Sequence, residues 1–218
     1  MVVDLRKEGE YNMSRYTGPK CRKCRQYGMV LCTKPANKCA WERRKSPPGD
    51  KSPLSQRRRP SEYGMQLKEK QKARFMYGLV EKQFRNYFKK AASKDGATGH
   101  NLLIMLESRL DNTVYRLGLA PTRRAARQLI NHKHFLVNNK VVNIPSYLLS
   151  EGDVVQVRDK SKRFAIFQDS MRRIQGDNPA PWLTIDKGKL NGVFNNAPTR
   201  DEIPETVNEQ LVVELYSK

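Results

Sequence analysis

The sequence predicts an α+β protein in which helices come first and short antiparallel strands follow. Apolar residues recur at helical spacing over 61–94 and again over 103–117. Beyond residue 134 the pattern changes to short β-branched runs, separated by turns that contain Asn or Gly. Four cysteines lie together in the N-terminal region. These features predict a helical N-terminal region with a four-cysteine metal knuckle, then a small module of helices and strands, then C-terminal strands.

The charge of the chain is strongly positive and unevenly distributed. The 218 residues contain 42 Lys and Arg against 22 Asp and Glu, a formal net charge of +20, and residues 1–134 carry the whole excess. An excess of this size attracts a polyanion. No apolar run is long enough to span a bilayer, and the N-terminus lacks the apolar region of a signal peptide. We therefore expect no membrane partner and a location in the cytoplasm or an equivalent organelle compartment.

The cysteines form a C-x2-C-x7-C-x6-C pattern, made by Cys21, Cys24, Cys32 and Cys39. A C-x2-C pair places two thiolates on one tight turn, where both can bind the same ion. In a reducing compartment such a cluster favours a metal over disulfides. The pattern predicts one structural zinc ion held by four thiolates, with an iron–sulfur cluster as the alternative.

An amphipathic helix is predicted directly after Pro121, with Thr122 as its N-cap. Its apolar arc consists of small and aliphatic residues and can dock on a neighbouring helix. Its polar arc contains no carboxylate and is made of Arg123, Arg124, Arg127, Gln128 and Asn131. Guanidinium and amide groups are typical ligands of phosphates and of base or sugar edges. We expect this arc to point outward and contact nucleic acid; a merely solvated face is the alternative.

The helix leads into a predicted hairpin. Residues 135–137 and 141–142 are strand-like and flank Asn138-Asn139-Lys140, in which Asn tolerates positive φ. Residues 154–157 predict another short strand. His132-Lys133-His134 joins the helix to the first strand and has no further metal ligands nearby. We interpret it as a loop that faces RNA, with an ordinary exposed turn as the alternative.

The remaining segments are simpler. Residues 42–60 are rich in Pro, Ser and Arg and should become ordered only against a partner. Residues 61–94 predict two helices broken near Gly78, with basic residues on their polar faces. A further helix is predicted within 160–175, and strands at 182–185 and 211–216.

Several stretches resemble one family. The segment SRLDNTVYRLGLAPTRRAARQLINHKHFLVNNKVVNIPSY resembles the RNA-binding domain of small-subunit ribosomal protein S-four, which tyrosyl-tRNA synthetases and pseudouridine synthases also contain. Outside that shared module, YGMQLKEKQKARFMYGLVEKQFRNYF resembles S-four as well, and so do the opening MSRYTGPKC and the ending VNEQLVVELYSK. The resemblance thus covers residues 13–218. It distinguishes S-four from the enzymes, which share only the module.

The resemblance implies a structural protein that binds the 5′-domain junction of small-subunit rRNA early in assembly. It also implies a contribution to translational fidelity and contacts with ribosomal protein S-five and with mRNA where it enters the subunit. For mRNA the residues carried over are Arg57, Arg58 and Arg59. Cys32 is shifted relative to the cysteine pattern common in the family, which makes it the least certain metal ligand. The expected rRNA contacts are Lys68, Lys70, Lys72, Arg74, Arg85, Arg109, Arg116, Arg123, Arg124, Arg127, Gln128, Asn131, His132, Lys133, His134, Asn138 and Lys140.

The predicted organisation has five segments: an extension at 1–12, the knuckle and basic segment at 13–60, a helical domain at 61–105, the S-four-type domain at 106–160, and a C-terminal part at 161–218. An RNA-modifying enzyme with the same module is the alternative, but no G-x-G-x-x-G, P-loop or cluster of Asp, His and Ser is present. A zinc-dependent DNA-binding regulator would need a C2H2 spacing or a dimerisation heptad, and the chain has neither. The sequence therefore predicts a protein that is not an enzyme.

Overall fold

The computed structural model describes Tyr16, residues 18–32, Lys34, and residues 36–49, 61–172, 180–204 and 206–217. The chain divides into two compact units, Met1–Asn86 with Val207–Lys218, and Tyr87–Thr206. The five-segment division predicted from the sequence is finer than this and stays a prediction.

The helices in chain order are α1 (Lys20–Tyr27), α2 (Ala40–Arg43), α3 (Glu62–Met76), α4 (Glu81–Ala92), α5 (Thr98–Glu107), α6 (Leu110–Arg116), α7 (Arg123–Asn131), α8 (Ala165–Met171) and α9 (Glu209–Ser217). The strands are β1 (Phe135–Val137), β2 (Lys140–Val141), β3 (Val154–Val157), β4 (Leu183–Asp186) and β5 (Asn191–Phe194). Single 3₁₀ turns occupy Ala36–Lys38 and Asp159–Ser161.

The first unit is helical among its described residues. Helix α3 begins after Ser61, whose Oγ accepts a hydrogen bond from the N–H of Gly64 at 3.2 Å. The chain turns between α3 and α4 at Gly78, where φ is +65°, so the predicted break is confirmed. Helix α9 packs on this pair: the ring of Tyr216 stacks on Phe84 with centroids 6.4 Å apart.

The predicted strand at 211–216 is wrong, because these residues form α9. The run of Leu and Val suggested a strand, since β-branched residues fit a pleated surface. Asn208 instead caps a helix, and its Oδ1 accepts from the N–H of Gln210 at 3.1 Å and of Leu211 at 3.3 Å. Packing on α3 and α4 then overrides the local preference, with Val212 fully buried.

The second unit contains an antiparallel five-stranded sheet in the order β2-β1-β3-β5-β4. The β1–β2 hairpin turns at Asn138 and Asn139, whose φ angles are +49° and +64°, so the predicted hairpin is confirmed. Strand β3 pairs with β1, with Leu136 opposite Gln156. The hairpin of β4 and β5 extends the sheet beyond β3, with Val155 opposite Gly192.

Helices α6 and α7 pack on this sheet and close the core of the unit. Leu117, the C-cap residue of α6, lies directly over Gly192 of β5, where an added Cβ would stand 2.5 Å from a Leu117 methyl carbon. Phe135, Phe167 and Trp182 are completely or almost completely buried in the same core. Helices with an antiparallel sheet make this an α+β protein, as the sequence predicted.

Three further elements differ from expectation. The predicted helix over 103–117 is broken between α5 and α6, where the Leu110 N–H donates to the carbonyl of Tyr147 at 2.8 Å. Pairing with this distant segment satisfies the backbone groups that the break exposes. The predicted helix within 160–175 is shorter, as α8. Strand β5 was not predicted, because Gly192 and the polar Asn191 weaken its pattern.

Candidate nucleic-acid interface and metal centre

Three of the four cysteines come together beside α1 and α2. Cys24 lies on α1, Cys39 is the N-cap residue of α2, and Cys32 lies on the segment between them. Their sulfur atoms all lie within 4.8 Å of one another. The Sγ atoms of Cys32 and Cys39 are 3.6 Å apart, and the Leu31 N–H points at the Cys24 sulfur at 3.4 Å. All of these thiols are free of disulfides.

The chemistry of this cluster suits a soft metal ion. Burial raises the pKa of the Cys39 thiol, but backbone N–H groups of Trp41 and Glu42 and the neighbouring thiols outweigh it, so the net pKa lies below its ordinary value. Burial raises the pKa of Cys32 to about 12. Cys39 therefore has a lower pKa than Cys32. Convergent sulfur donors are a ligand set for zinc or an iron–sulfur centre.

Sequence reasoning ranked these cysteines differently. Cys32 was the least certain ligand, yet it is one of the three whose sulfurs converge. Cys21 is the one outside that group. It lies three residues before Cys24 on α1, so both side chains belong to the same side of the helix. A four-cysteine centre therefore requires a movement of Cys21 toward the other three.

The arginine helix α7 begins where the sequence predicted. Thr122 is its N-cap, and its Oγ1 accepts a hydrogen bond from the Ala125 N–H at 3.0 Å. The apolar arc faces the core, with Ala126 and Ile130 fully buried and Leu129 9% exposed. The predicted amphipathic helix is therefore confirmed.

The guanidinium groups of α7 contact polar groups of α6. Arg127 donates from Nη2 to Asp111 Oδ2 at 2.6 Å and from Nε to the same oxygen at 3.1 Å. Arg123 donates from Nε to Asn112 Oδ1 at 2.6 Å, and its guanidinium lies 4.7 Å from the ring centroid of Tyr115. No acid lies on the polar arc of α7, as the sequence predicted. The preceding helix, α6, nevertheless supplies an acidic partner, Asp111.

Asp111 also holds Arg109, which the sequence placed among the rRNA contacts. Arg109 is 3% exposed and forms a two-pronged ion pair with Asp111, at 2.7 Å from Nη2 and 3.0 Å from Nε. Burial lowers the pKa of Arg109, but Asp111 and Tyr87 outweigh it, so the net pKa is raised. Arg109 thus links α4 to α6 inside the second unit and cannot reach a phosphate in this conformation.

Glu107 plays the corresponding part for Arg116. The Glu107 side chain is completely buried and accepts from Arg116 Nη2 at 2.9 Å and from Nε at 3.0 Å. Its Oε2 also accepts from Asn112 Nδ2 at 2.6 Å. Asn112 therefore connects this pair to Arg123. The sequence analysis did not identify Glu107 and Asp111 as partners of these arginines. The feature that could have identified them is a pair of carboxylates four residues apart within an apolar stripe.

The polar residues that reach the surface of this unit lie mainly at the end of α7 and on the hairpin. Gln128, Asn131, His132, Lys133 and Lys140 are exposed. Asn138 is also exposed, but its side chain fixes the hairpin by donating to Asp153 at 2.7 Å and accepting from the Val154 N–H at 2.9 Å. Arg123, Arg124 and Arg127 are half-buried.

His134 differs from its neighbour His132 because it packs inward. Its Nδ1 lies 2.8 Å from Ser161 Oγ, and its ring meets the ring of Phe164 edge to face at 5.5 Å. Burial, together with the charges of His132 and Arg158, lowers the pKa of His134. A neutral His134 is a poor phosphate ligand, since it lacks the charge that a phosphate attracts.

In the first unit the predicted contacts also separate into two groups. Lys70 is buried and lies 2.8 Å from Glu81, which Arg74 contacts at 3.3 Å. Lys72 is buried and lies 2.6 Å from Glu69. Lys68 and Arg85 are exposed, and neither has an acidic partner within the described part of the chain. The predictions for Arg57, Arg58 and Arg59 lie outside the described residues.

Comparison with known proteins agrees with this architecture. Residues 15–107 match the ribosomal protein S4/S9 N-terminal domain, and residues 108–155 match the S4 domain. A small ribosomal subunit protein uS4 from Syntrophobacter fumaroxidans is 52% identical over 210 residues, covering 94% of this chain and 100% of the relative. The protein of the same name from Syntrophomonas wolfei is 49% identical, with the same coverage. One from Legionella pneumophila is 48% identical over 211 residues, again with the same coverage.

An S4 domain that follows an S4/S9 N-terminal domain defines a ribosomal class of protein. More narrowly, the chain belongs to the uS4 family of small ribosomal subunit proteins. This membership confirms the predictions of family and of a structural, non-enzymatic protein. Within the described ranges, no helix is both long and apolar enough to cross a membrane.

Proposed function

We propose that this protein is a structural component of the small ribosomal subunit in the cytoplasm, where it binds small-subunit rRNA. The observation that carries the proposal is 52% identity, over 94% of the chain, to a protein named for that subunit. The net charge of +20 supports an RNA partner, because a polyanion neutralises it. In finer detail, the protein binds the 5′-domain junction and joins the subunit early in assembly.

The proposed rRNA surface of the S4 module runs from the end of α7 to the hairpin. Its exposed members are Gln128, Asn131, His132, Lys133 and Lys140. Arg123, Arg124 and Arg127 border this surface, and α6 holds Arg123 and Arg127 from behind. Arg109 is excluded by its burial. A rigid surface that reads little of the base sequence suits folded RNA, which proteins recognise largely by shape.

Two further partners belong to the proposal. Arg57, Arg58 and Arg59 would contact mRNA where it enters the subunit, an assignment supported by their charge and by the family resemblance. The C-terminal region would contact ribosomal protein S-five and so contribute to translational fidelity. Its acidic balance supports a protein partner more than a phosphate backbone, because residues 176–218 contain more acids than bases.

The metal proposed for the cysteine cluster is zinc, with Cys24, Cys32 and Cys39 as ligands and Cys21 as the fourth. When bound, zinc would supply a structural cross-link between α1 and α2. An iron–sulfur cluster is the alternative for the same donors. Metal analysis of reduced full-length protein should find about one zinc per chain, and Cys39→Ser should abolish it. Iron and acid-labile sulfide in place of zinc would favour the alternative.

The function is tested by binding of the full-length protein to a small-subunit 5′-domain junction RNA and to a large-subunit rRNA fragment of equal length. We expect tighter binding to the junction, with an affinity that falls steeply between about 50 and 200 mM salt. Lys133→Ala with Lys140→Ala should reduce the salt slope by about two. Equal affinity for both RNAs would contradict specific binding at the junction.

A further inference from the structure

The side chain of Arg25 ties the last turn of α1 to the chain beyond α2. Its Nε donates to the carbonyl of Ser46 at 2.8 Å. Its Nη2 donates to the carbonyl of Pro47 at 2.8 Å and to the Ser46 hydroxyl at 3.2 Å. A guanidinium carries its donors in a fixed planar fork, so it can hold two successive carbonyls at once. These three hydrogen bonds are called the Arg25 clamp below.

The clamp acts on a turn at the surface. Ser46 and Pro47 are exposed, whereas Arg25 is half-buried. Helix α2 ends at Arg43, and beyond it the Ser46 N–H donates to the carbonyl of Arg44 at 2.8 Å. That local contact shapes the turn, and the clamp joins the turn to α1.

The acceptors of the clamp are well suited to being held in one place. Two of the three are backbone carbonyls, so most of the clamp does not depend on which side chains follow α2. Pro47 and Pro48 each have φ restricted to about −65°, which leaves the clamp few backbone conformations to restrain. All three acceptors are neutral oxygens of this chain, which distinguishes Arg25 from a cation that faces only solvent.

The two elements that the clamp joins also carry the cysteine centre. Cys24, the residue before Arg25, is completely buried on α1, and Cys39 is the N-cap residue of α2. Their sulfur atoms and that of Cys32 all lie within 4.8 Å of one another. A metal ion held by these sulfurs would therefore join α1 to α2 one residue before the clamp begins.

The metal and the clamp close overlapping loops, so each favours the other. Without a metal, the clamp closes a loop of 21 residues from Arg25 to Ser46. When a metal joins Cys24 to Cys39, Arg25 is one residue from that junction and Ser46 is seven, so the loop shortens to eight. Because the probability of closure falls roughly as the 3/2 power of loop length, the metal should favour the clamp roughly fourfold.

We propose that Arg25 is a positioning residue through which the metal-loaded cysteine centre fixes the chain at Ser46 and Pro47. The inference rests on the proposed metal centre, and it assigns Arg25 to this internal contact instead of to a phosphate. The clamp lies within the Pro-, Ser- and Arg-rich segment 42–60, which contains the arginines proposed to contact mRNA. Metal binding therefore determines the point from which the rest of that segment continues.

The test measures the initial rate of tryptic cleavage at the Lys45–Ser46 bond of the full-length protein by mass spectrometry. A protease cuts the transiently opened chain, so the rate reports how often the clamp is open. We expect zinc-loaded wild-type protein to be cleaved at least roughly fourfold more slowly than protein treated with a chelator.

Arg25→Lys keeps the charge but loses the planar fork. The zinc-loaded variant should still bind one zinc, yet be cleaved at least as fast as metal-free wild-type protein. Chelation should then accelerate its cleavage much less than it accelerates that of the wild type. Arg22→Lys is the matched control, because Arg22 is exposed one turn earlier on α1, and it should keep the wild-type rates.

Three results would overturn the inference. A wild-type rate in zinc-loaded Arg25→Lys would show that the clamp restrains nothing. Equal acceleration by the chelator in wild type and Arg25→Lys would show that the metal acts without Arg25. A wild-type protein that binds no metal would remove the centre itself, while its preference for the junction RNA decides the proposed rRNA function separately.

Discussion

The cations of α7 and those of α4 differ in what lies behind them, although both helices have an apolar side in a core. Arg127 meets Asp111 at 2.6 Å, and Arg123 meets Asn112 at 2.6 Å. On α4 the corresponding outward cations, such as Lys89, meet no acid of the described chain. One set is fixed by the protein itself, whereas the other is exposed and has no acid of the described chain beside it.

The difference teaches that the charge of a helical face does not by itself identify a binding surface. Both faces are free of acids along their own helix. The deciding groups are Glu107 and Asp111, which lie on or beside a neighbouring helix and are almost fully buried. A buried acid needs a cation, so it determines which arginines serve the fold. Mutations should therefore separate fold from binding at these two helices.

The largest expected effect is on stability, from Asp111→Asn. The substitution keeps the shape but removes the charge that faces Arg109, which is 3% exposed, and Arg127. Removing one partner of a buried ion pair leaves an uncompensated charge, so we expect a loss of about 3–5 kcal/mol in the free energy of unfolding. Urea denaturation of the full-length protein measures it.

A matched control is Asp169→Asn, because Asp169 pairs with Arg172 at the surface, where the two side chains are 63% and 79% exposed. It should change the free energy of unfolding by no more than about 0.5 kcal/mol. If Asp111→Asn were equally mild, the buried acids would not be what distinguishes α7 from α4.

A second test sets Arg127→Ala against Lys89→Ala. Arg127→Ala should lower the free energy of unfolding by about 1–3 kcal/mol, less than Asp111→Asn because Arg109 still pairs with the acid. Lys89→Ala should leave stability within about 0.5 kcal/mol and reduce the salt slope of RNA binding by about one. We therefore expect Arg127→Ala to lose more stability and Lys89→Ala to lose more of the salt slope. Urea denaturation measures the first quantity and RNA titration the second. A stable Arg127→Ala variant with the larger loss of salt slope would reverse the assignment.

The sequence was sufficient for features fixed by local chemistry. Thr122 as a cap, Gly78 as a break and the Asn138-Asn139 turn each depend on the conformational preference of a few residues, and each is observed. The apolar arc of α7 also followed from spacing alone. The convergence of cysteines required only that four thiols within a short segment meet, and three of them do.

What the sequence could not supply was tertiary context. The sequence predicted Arg109 and Lys70 as RNA ligands. In the folded protein Arg109 pairs with Asp111, and Lys70 pairs with Glu81. Leu211–Tyr216 looked like a strand until Asn208 and the packing of α9 decided otherwise. Lys70 and Glu81 lie eleven residues apart, beyond what local spacing connects. The Arg109–Asp111 pair and the Asn208 cap are local, but the pair depends on the break between α5 and α6, and α9 is also stabilised by its packing.

A smaller effect is expected at the start of α7. Thr122→Ala removes the oxygen that accepts the Ala125 N–H, so the free energy of unfolding should fall by about 1 kcal/mol. Thr122→Ser keeps that oxygen and should retain most of the stability. A Thr122→Ser variant as unstable as Thr122→Ala would show that the lost methyl group, and not the cap, matters.

The smallest effect concerns pH and His134, the half-buried histidine next to the α7 surface. Burial, His132 and Arg158 lower the pKa of His134 in the folded protein, so below about pH 6.5 the unfolded chain binds more protons than the folded one. Its contribution to stability is therefore complete above that pH and is lost as the pH falls toward the folded pKa. His134→Asn, which can still hydrogen-bond Ser161, should flatten the decline measured by urea denaturation between about pH 7.5 and 5.5. Glu81→Gln is the matched control near α4, because the pKa of Glu81 is already below its ordinary value and the carboxylate stays ionised throughout that range. An undiminished decline in His134→Asn would mean that the histidine is not desolvated as its contacts indicate.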